Sequence, residues 1–355
     1  MVPPAPHGRG VASNPPNRFE TLHLEPRLPD ADDFPEDEGV APQTQIFRET
    51  AKSILAHNNS PDIGFDTSIN AYRGCEHGCV YCYARPTHEY LGFSSGLDFE
   101  TKIVVKENAP QLLRKELSAK SWEPRVISMS GVTDCYQPLE RHFELTRRCL
   151  EVLADFRNPV VVITKNHLVT RDIDVLKRLA DYKAVSVCIS LTTLDAKLAR
   201  QMEPRASIPA RRLAAIGKLS AAGIPVGTLV CPVIPGLTDH EIPAILEAAA
   251  RAGAQFAGYN LVQLPYANKD LFMEWVETNF PEKAAKVESK IRQMRGGKLY
   301  DADFGQRMMG TGPFAAQIGG LFKIARRKAG IPSRGPRLCA ESFRCPVGGQ
   351  LELFD

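Results

Sequence analysis

The chain has 355 residues, 43% of them hydrophobic and 24% charged, with 44 basic against 41 acidic side chains for a net charge of +3. That length suits one large α/β core, and so small a net charge neither demands nor excludes a nucleic-acid partner. No apolar run reaches the length of a membrane span, and Met1-Val2-Pro3-Pro4 does not open a basic region followed by an apolar one, so a cytoplasmic protein without a secretory signal is expected.

Nine cysteines, an odd number, fit a reducing compartment in which they act as ligands or core residues. Residues 1–64 read as a leader, rich in Pro, Gly, Asp and Glu over its first 45 or so positions and loosely draped there. The amphipathic stretch from Arg18 to Leu24 is its candidate docking segment. Next comes Tyr72-Arg73-Gly74-Cys75-Glu76-His77-Gly78-Cys79-Val80-Tyr81-Cys82-Tyr83, a CxxxCxxC pattern bracketed by glycines and tyrosines. Thiolates select iron-sulfur clusters or zinc over hard cations. A four-iron cube held by Cys75, Cys79 and Cys82 keeps one iron open, as a catalytic cluster requires. A zinc knuckle using His77 or His88 is the competing reading, although structural zinc ligands usually come as two separated pairs. A redox pair of Cys79 and Cys82 leaves Cys75 unexplained.

Short apolar runs then alternate with helical periodicity. Strands are expected at Phe65 to Tyr72, Arg125 to Met129, Pro159 to Thr164, Ala184 to Leu191, Pro225 to Val233 and Phe256 to Leu264. Helices are expected at Leu139 to Phe156, Asp172 to Tyr182, Ala210 to Ala222 and Asp239 to Ala252. Six βα units predict a parallel sheet curled into a partial (β/α)6 TIM-like barrel over residues 65–265. Reactive groups in such folds come from loops after the carboxyl ends of strands, where the cysteine loop falls.

The CxxxCxxC with Tyr81 ahead of its third cysteine resembles the signature of the radical S-adenosylmethionine (SAM) superfamily. Ser130-Gly131-Val132-Thr133-Asp134-Cys135-Tyr136-Gln137-Pro138, Thr164-Lys165, Glu203-Pro204-Arg205 and Pro232-Val233-Ile234-Pro235-Gly236 narrow it to the branch of spore photoproduct lyase and related DNA-repair photolyase-like proteins. The resemblance implies a [4Fe-4S] cluster on Cys75, Cys79 and Cys82 whose open iron binds SAM. It also implies reductive cleavage to a 5′-deoxyadenosyl radical and an electron donor such as flavodoxin or ferredoxin. It implies that Tyr81, Tyr83, Ser130, Thr133, Asp134, Lys165 and Ser190 serve the cofactors. The lyase's hydrogen-donor cysteine precedes its Ser-Asp pair, where this chain has Gly131, so Cys135 and Tyr136 become the candidates for hydrogen relay.

Arg200, Arg205, Arg211 and Arg212 cluster after the fourth strand and are candidates for phosphate contact, with DNA as the partner. The competing reading pairs Arg205 with Glu203. Residues 266–338 read as a helical cap, with one or two helices from Lys269 to Met294 and another from about Thr311 to Ala329. In the tail, 339–355, Cys339 and Cys345 are candidate ligands of a second metal. Gln350, Leu351, Leu353 and Phe354 resemble the peptide that holds the bacterial sliding clamp. The reading is a radical SAM enzyme acting on DNA or a nucleotide. Its rivals are a radical SAM enzyme of proteins or small metabolites, and a non-enzymatic metal-containing module associated with DNA.

Overall fold

The computed structural model describes residues 5–19 and 43–346. Its ten strands are β1 (Gln45–Arg48), β2 (Leu55–His57), β3 (Thr67–Ile69), β4 (Tyr72–Arg73), β5 (Lys102–Val105), β6 (Ile127–Met129), β7 (Val160–Thr164), β8 (Val185–Ser190), β9 (Val226–Val233) and β10 (Ala257–Leu261). The main sheet runs β10-β9-β8-β7-β6-β3-β2. Its six strands from β3 to β10 are parallel, and β2 adds antiparallel at the edge. This is the partial barrel expected.

Period-two alternation sorts the strands into two faces. Ile69, Ile127, Met129, Val160, Val162, Val185, Val187, Ile189, Val226 and Val230 join the buried core. The register places the alternate set side by side on the other face: Ser68, Ser128, Val161 and Ser186, with Cys188 and Ser190 further along β8. Continuing, Ser190 pairs with Leu229 and Leu229 with Gly258, so Cys231 and Asn260, two residues on, share that inner face. Apart from Val161 and Leu229 this inner set is small or polar, while the branched residues of the outer face pack in the core.

The expected strand at 65–72 divides, because Asn70 turns its side chain to accept from the Gly131 and Val132 amides, at 2.8 and 3.0 Å. The chain beyond it pairs elsewhere, β4 and β1 flanking β5 in a small second sheet. The expected helix at 139–156 also divides, into Glu140–Phe143 and Leu145–Phe156, with Glu144 at φ 50°. The Glu140 carboxylate folds back to accept from Thr146 N at 3.0 Å and Arg147 N at 3.3 Å, occupying the opening turn of the second helix.

The open side of the sheet is not bare. Leu261 N donates to Met308 O at 2.9 Å. From there the chain reaches across to the β2–β3 connection, where Gly305 N and Arg307 Nε both donate to Asp62, at 2.6 Å each. The later helices are Asn268–Asn279, Pro281–Gln293 and Gly312–Lys328, the last packed on Ile242–Arg251 and placing Phe322 on Tyr259 at 4.6 Å.

Residues 5–19 are held more firmly than a loose leader. Val11 and Asn17 are buried, Asn17 Nδ2 donates to Glu89 O at 3.0 Å, and Gly10 N donates to Glu100 Oε2 at 2.9 Å. Beyond Phe19 the proposed docking segment, and the tail residues Gln350, Leu351, Leu353 and Phe354, lie outside the described residues.

Candidate active site

The cysteine loop leaves β4 through Gly74, at φ +79°, where a Cβ would meet Ile103 Cδ1 at 2.9 Å and Phe99 O at 3.0 Å. Gly78, at φ +66°, would press a Cβ onto Glu100 Oε2 at 2.7 Å. Both positions therefore need glycine. Behind the loop Arg85 is fully buried. Its Nη2 donates to Cys79 O at 2.9 Å and pairs with Glu100 at 2.5 Å, while Nη1 donates to Gly96 O at 2.9 Å. A fork with five donors can bind several loop carbonyls and a carboxylate together, which fixes the backbone carrying the thiols.

Cys75 and Cys79 are buried and Cys82 is half-buried. Burial first, then the Glu203 carboxylate, hold the Cys79 thiol well above its ordinary range, and burial with neighbouring Cys75 pushes Cys82 up to about 11. The sulfurs thus crowd one another, and deprotonation there favours a cationic centre. Among the described residues no three His, Cys, Asp or Glu side chains converge on a point suited to a single ion. His77 has both nitrogens engaged, Nδ1 at 3.3 Å from Asp134 and Nε2 at 3.2 Å from Asn166. Three thiols carried by one loop are the soft donor set that a [4Fe-4S] cluster takes, and in that respect Cys75, Cys79 and Cys82 fit one.

His88, the other zinc candidate, lies between Phe93 and Phe99 at 5.3 and 5.6 Å, with no hydrogen-bond partner for either nitrogen among the described residues. Burial lowers its pKa to about 4. The unfolded chain therefore binds the extra proton first, so this contribution is intact above pH 6.5 and is lost as pH falls toward 4, to a total of about 3 kcal/mol. Urea unfolding at pH 7 and pH 4.5 should show His88→Leu losing less stability on acidification than the wild type, and equal losses would refute this.

The loop after β6 is stitched to the cysteine loop. Thr133 Oγ1 donates to Gly74 O at 2.6 Å, Glu76 N donates to Gln137 Oε1 at 3.0 Å, and Tyr83 OH donates to Gly131 O at 2.6 Å. Asp134 accepts from Tyr136 N at 2.9 Å, Thr164 Oγ1 at 2.7 Å and Lys165 N at 2.8 Å, with His77 as its fourth neighbour. Burial opposes its ionisation, but His77 and these donors outweigh burial and hold its pKa near 2. Four partners saturate the carboxylate, which ties the cysteine loop to the loops after β6 and β7. Ser130 Oγ is spent on Thr133 O at 2.5 Å.

Tyr81 is buried, its hydroxyl donating to Glu203 and lying 3.1 Å from Thr192 Oγ1. Lys165 Nζ stands 5.8 Å from the Tyr81 ring centroid. Burial would depress this ammonium, yet Cys79, Glu203 and Cys231 outweigh burial and raise it above its ordinary value. Ser190 is buried and its carbonyl accepts from Arg212 Nη1 at 3.0 Å. Tyr83 remains 55% exposed, the most open of the cofactor candidates.

Three expectations change. Cys135 and Tyr136 sit in the packed core, with Cys135 Sγ toward Met129 O at 3.5 Å and Tyr136 OH donating to Asp172 at 3.0 Å. Arg212 is 1% exposed and consumed by Glu203, Ser207 O and Ser190 O, and Arg205 pairs with Glu76 at 2.9 Å, which leaves Arg200 and Arg211 as the exposed members of that group. Two thiols lie on the inner face, Cys188 within β8 and Cys231 toward the carboxyl end of β9, where its S–H donates to Asn260 Oδ1 at 2.6 Å. Burial holds this thiol above its ordinary range, so it stands protonated. Extending the alternation of β9 from Leu229 would have found it.

Known proteins are similar to this chain. The profile of the Radical SAM superfamily matches residues 69–249. An uncharacterized protein of Mycobacterium tuberculosis (strain ATCC 25618 / H37Rv) is 36% identical over 237 residues, 66% of this chain and 70% of its own. An uncharacterized protein of Methanocaldococcus jannaschii is 30% identical over 247 residues, 69% of this chain and 88% of its own. A radical SAM Nalpha-GlyT isomerase of Pseudomonas phage M6 is 26% identical over 226 residues, 63% of this chain and 45% of its own. Spore photoproduct lyase complexed with dinucleoside spore photoproduct superposes with a TM-score of 0.55 at 16% identity, over 80% of this chain and 78% of that one. A double variant of the lyase with bound AdoMet and the same dinucleoside superposes at 0.52. With three thiols on one loop at the carboxyl rim of a six-stranded parallel barrel, and a profile match over half its length, this chain is a member of the Radical SAM superfamily.

Proposed function

We propose that this radical SAM enzyme binds a [4Fe-4S] cluster through Cys75, Cys79 and Cys82 and acts on DNA or a nucleotide. When bound, cluster and SAM together supply a 5′-deoxyadenosyl radical, given one electron from a donor such as flavodoxin or ferredoxin. The chain's own residues orient and protect. Lys165 neutralises the SAM carboxylate from the β7 end, and Tyr83 covers the mouth while tethered to Gly131 O. Ser190 and the other small inner residues leave room for the nucleoside. Asp134, Thr133 and Ser130 hold the two loops in register. Cys231 is the hydrogen carrier: its S–H gives a hydrogen atom to a carbon-centred radical on the substrate, forming a C–H bond and leaving a thiyl radical. A further electron from that donor, with a proton, would restore the thiol. The observation that carries the nucleic-acid reading is the shared fold with a lyase crystallised around a dinucleoside.

The test is anaerobic incubation of reconstituted protein with SAM, dithionite and an oligonucleotide deuterated on its sugar and base carbons. Deuterium in 5′-deoxyadenosine is expected, and Cys231→Ala should still form 5′-deoxyadenosine while blocking the finished product. No 5′-deoxyadenosine despite an intact cluster points to the metal-containing module instead. 5′-Deoxyadenosine that never carries deuterium points to a protein or metabolite substrate.

A further inference from the structure

From Phe304 to Ala340 the sequence holds seven Lys or Arg and no Asp or Glu. The fold gathers most of these cations in one place. The last turn of helix Gly312–Lys328 and the segment after it enclose a groove of about 590 Å³, lined by Lys323, Ile324, Arg326, Arg327 and Gly330 to Ser333, with no carboxylate in its wall. Lys323, Arg327, Lys328, Arg334 and Arg337 are all exposed, and none has a carboxylate partner among the described residues. Arg326 shapes the groove by donating to Ile331 O at 3.2 Å.

Three basic residues in a last turn are ordinary, since they complement the helix dipole. Continuing the run past the helix through Arg334 and Arg337, with no counter-charge, is not explained that way. The groove also sits far from the cysteine loop. A Cβ on Gly335 would meet the ring of Phe256 just before β10, Cys339 N donates to Lys183 O just before β8, and Arg344 N donates to Phe156 O just before β7. These residues mark the amino ends of the strands, the floor opposite the cysteine loop.

We infer that this floor groove binds the phosphate backbone of a nucleic acid without regard to sequence, as an anchor separate from the mouth. Four of the six cations from Lys323 to Arg337 are arginines, whose planar forks match phosphate oxygens in pairs. An anionic bilayer fits less well: the helix's Phe322 is turned inward onto Tyr259, which leaves only Leu321 and Ile324 exposed beside the charges. The inference rests on the nucleic-acid reading, and one experiment separates the two.

Fluorescence anisotropy of the full chain with a labelled 20-base-pair duplex, titrated over a range of KCl, compares wild type with Arg327→Glu/Arg334→Glu/Arg337→Glu. The variant should bind at least tenfold more weakly, and its slope of log K against log[KCl] should be shallower by about 2.7, roughly 0.9 per phosphate contact. The Gln versions of the three substitutions should reproduce the slope change with a smaller loss, and 5′-deoxyadenosine formed without nucleic acid should be unchanged. A wild type that binds duplex while the variant matches it overturns the groove alone. Wild type that ignores duplex, or prefers phosphatidylserine vesicles to it, overturns the groove as a nucleic-acid site. If deuterium transfer fails while duplex binding depends on these arginines, the anchor stands and the substrate assignment falls.

Discussion

Cys79→Ala is expected to yield a folded protein that, after anaerobic reconstitution, lacks the broad visible absorption of an iron-sulfur cluster and forms no 5′-deoxyadenosine from SAM. Cys79 is the middle thiol of the loop, and its carbonyl is the one Arg85 grips twice, at 2.9 and 3.2 Å. Main-chain contacts survive the substitution, so the Arg85–Glu100 clamp still forms and far-ultraviolet circular dichroism should match wild type. Losing one of three protein thiolates leaves two, too few to retain a cube against chelation. Iron content and absorbance read the cluster directly, apart from turnover. A variant holding four irons per chain with wild-type absorbance would show that the cluster is held elsewhere.

The second large effect lies beneath the site. Arg212→Met removes the guanidinium that Glu203 faces in a place where the two side chains are 1% and 0% exposed. Glu203 would keep Tyr81 OH and Thr192 Oγ1, the latter at 2.8 Å, as donors but would lose its buried counter-ion. Breaking such a pair from one side typically costs about 3–5 kcal/mol, because a charge is left desolvated without compensation. Urea unfolding should show a loss of that size, and Arg212→Met/Glu203→Gln should recover part of it by removing the stranded charge. If Arg212 instead contacted DNA phosphates, Arg212→Met would weaken duplex binding and leave the unfolding midpoint within error of wild type. A destabilised single variant whose double variant is no better would mean that the loss comes from packing.

Much of the site's chemistry was legible along the chain, because it depends on local spacing. Three thiols within eight residues, two glycines and an aromatic residue must fall on one loop whatever surrounds them, and Gly74 and Gly78 do take the positive φ that glycine permits. Repeated β-branched runs separated by helix-period segments likewise announce a parallel sheet. Which individual side chains face the lumen was another matter. Asp134 carries a suitable carboxylate in a suitable loop, yet three donors and His77 surround it. Cys135 lies one residue further on and turns into the core, whereas Cys231, nearly a hundred residues later, arrives on the inner wall through strand register. Arg205 and Arg212 look like phosphate ligands until their carboxylate partners, Glu76 and Glu203, are brought to them.

By itself the sequence determined the superfamily, the barrel and the loop that carries three thiols, since each is written in short-range pattern: spacing of thiols, alternation along strands, periodicity along helices. Only the tertiary structure decided which charges are spent, which thiol meets the cavity, and that the cations from Lys323 to Arg337 gather on the floor opposite the mouth. Those outcomes depend on pairing between residues far apart in the chain. A side chain's chemistry is free only to the extent that folding leaves its hydrogen-bonding and charge requirements unmet, and that balance is struck in three dimensions.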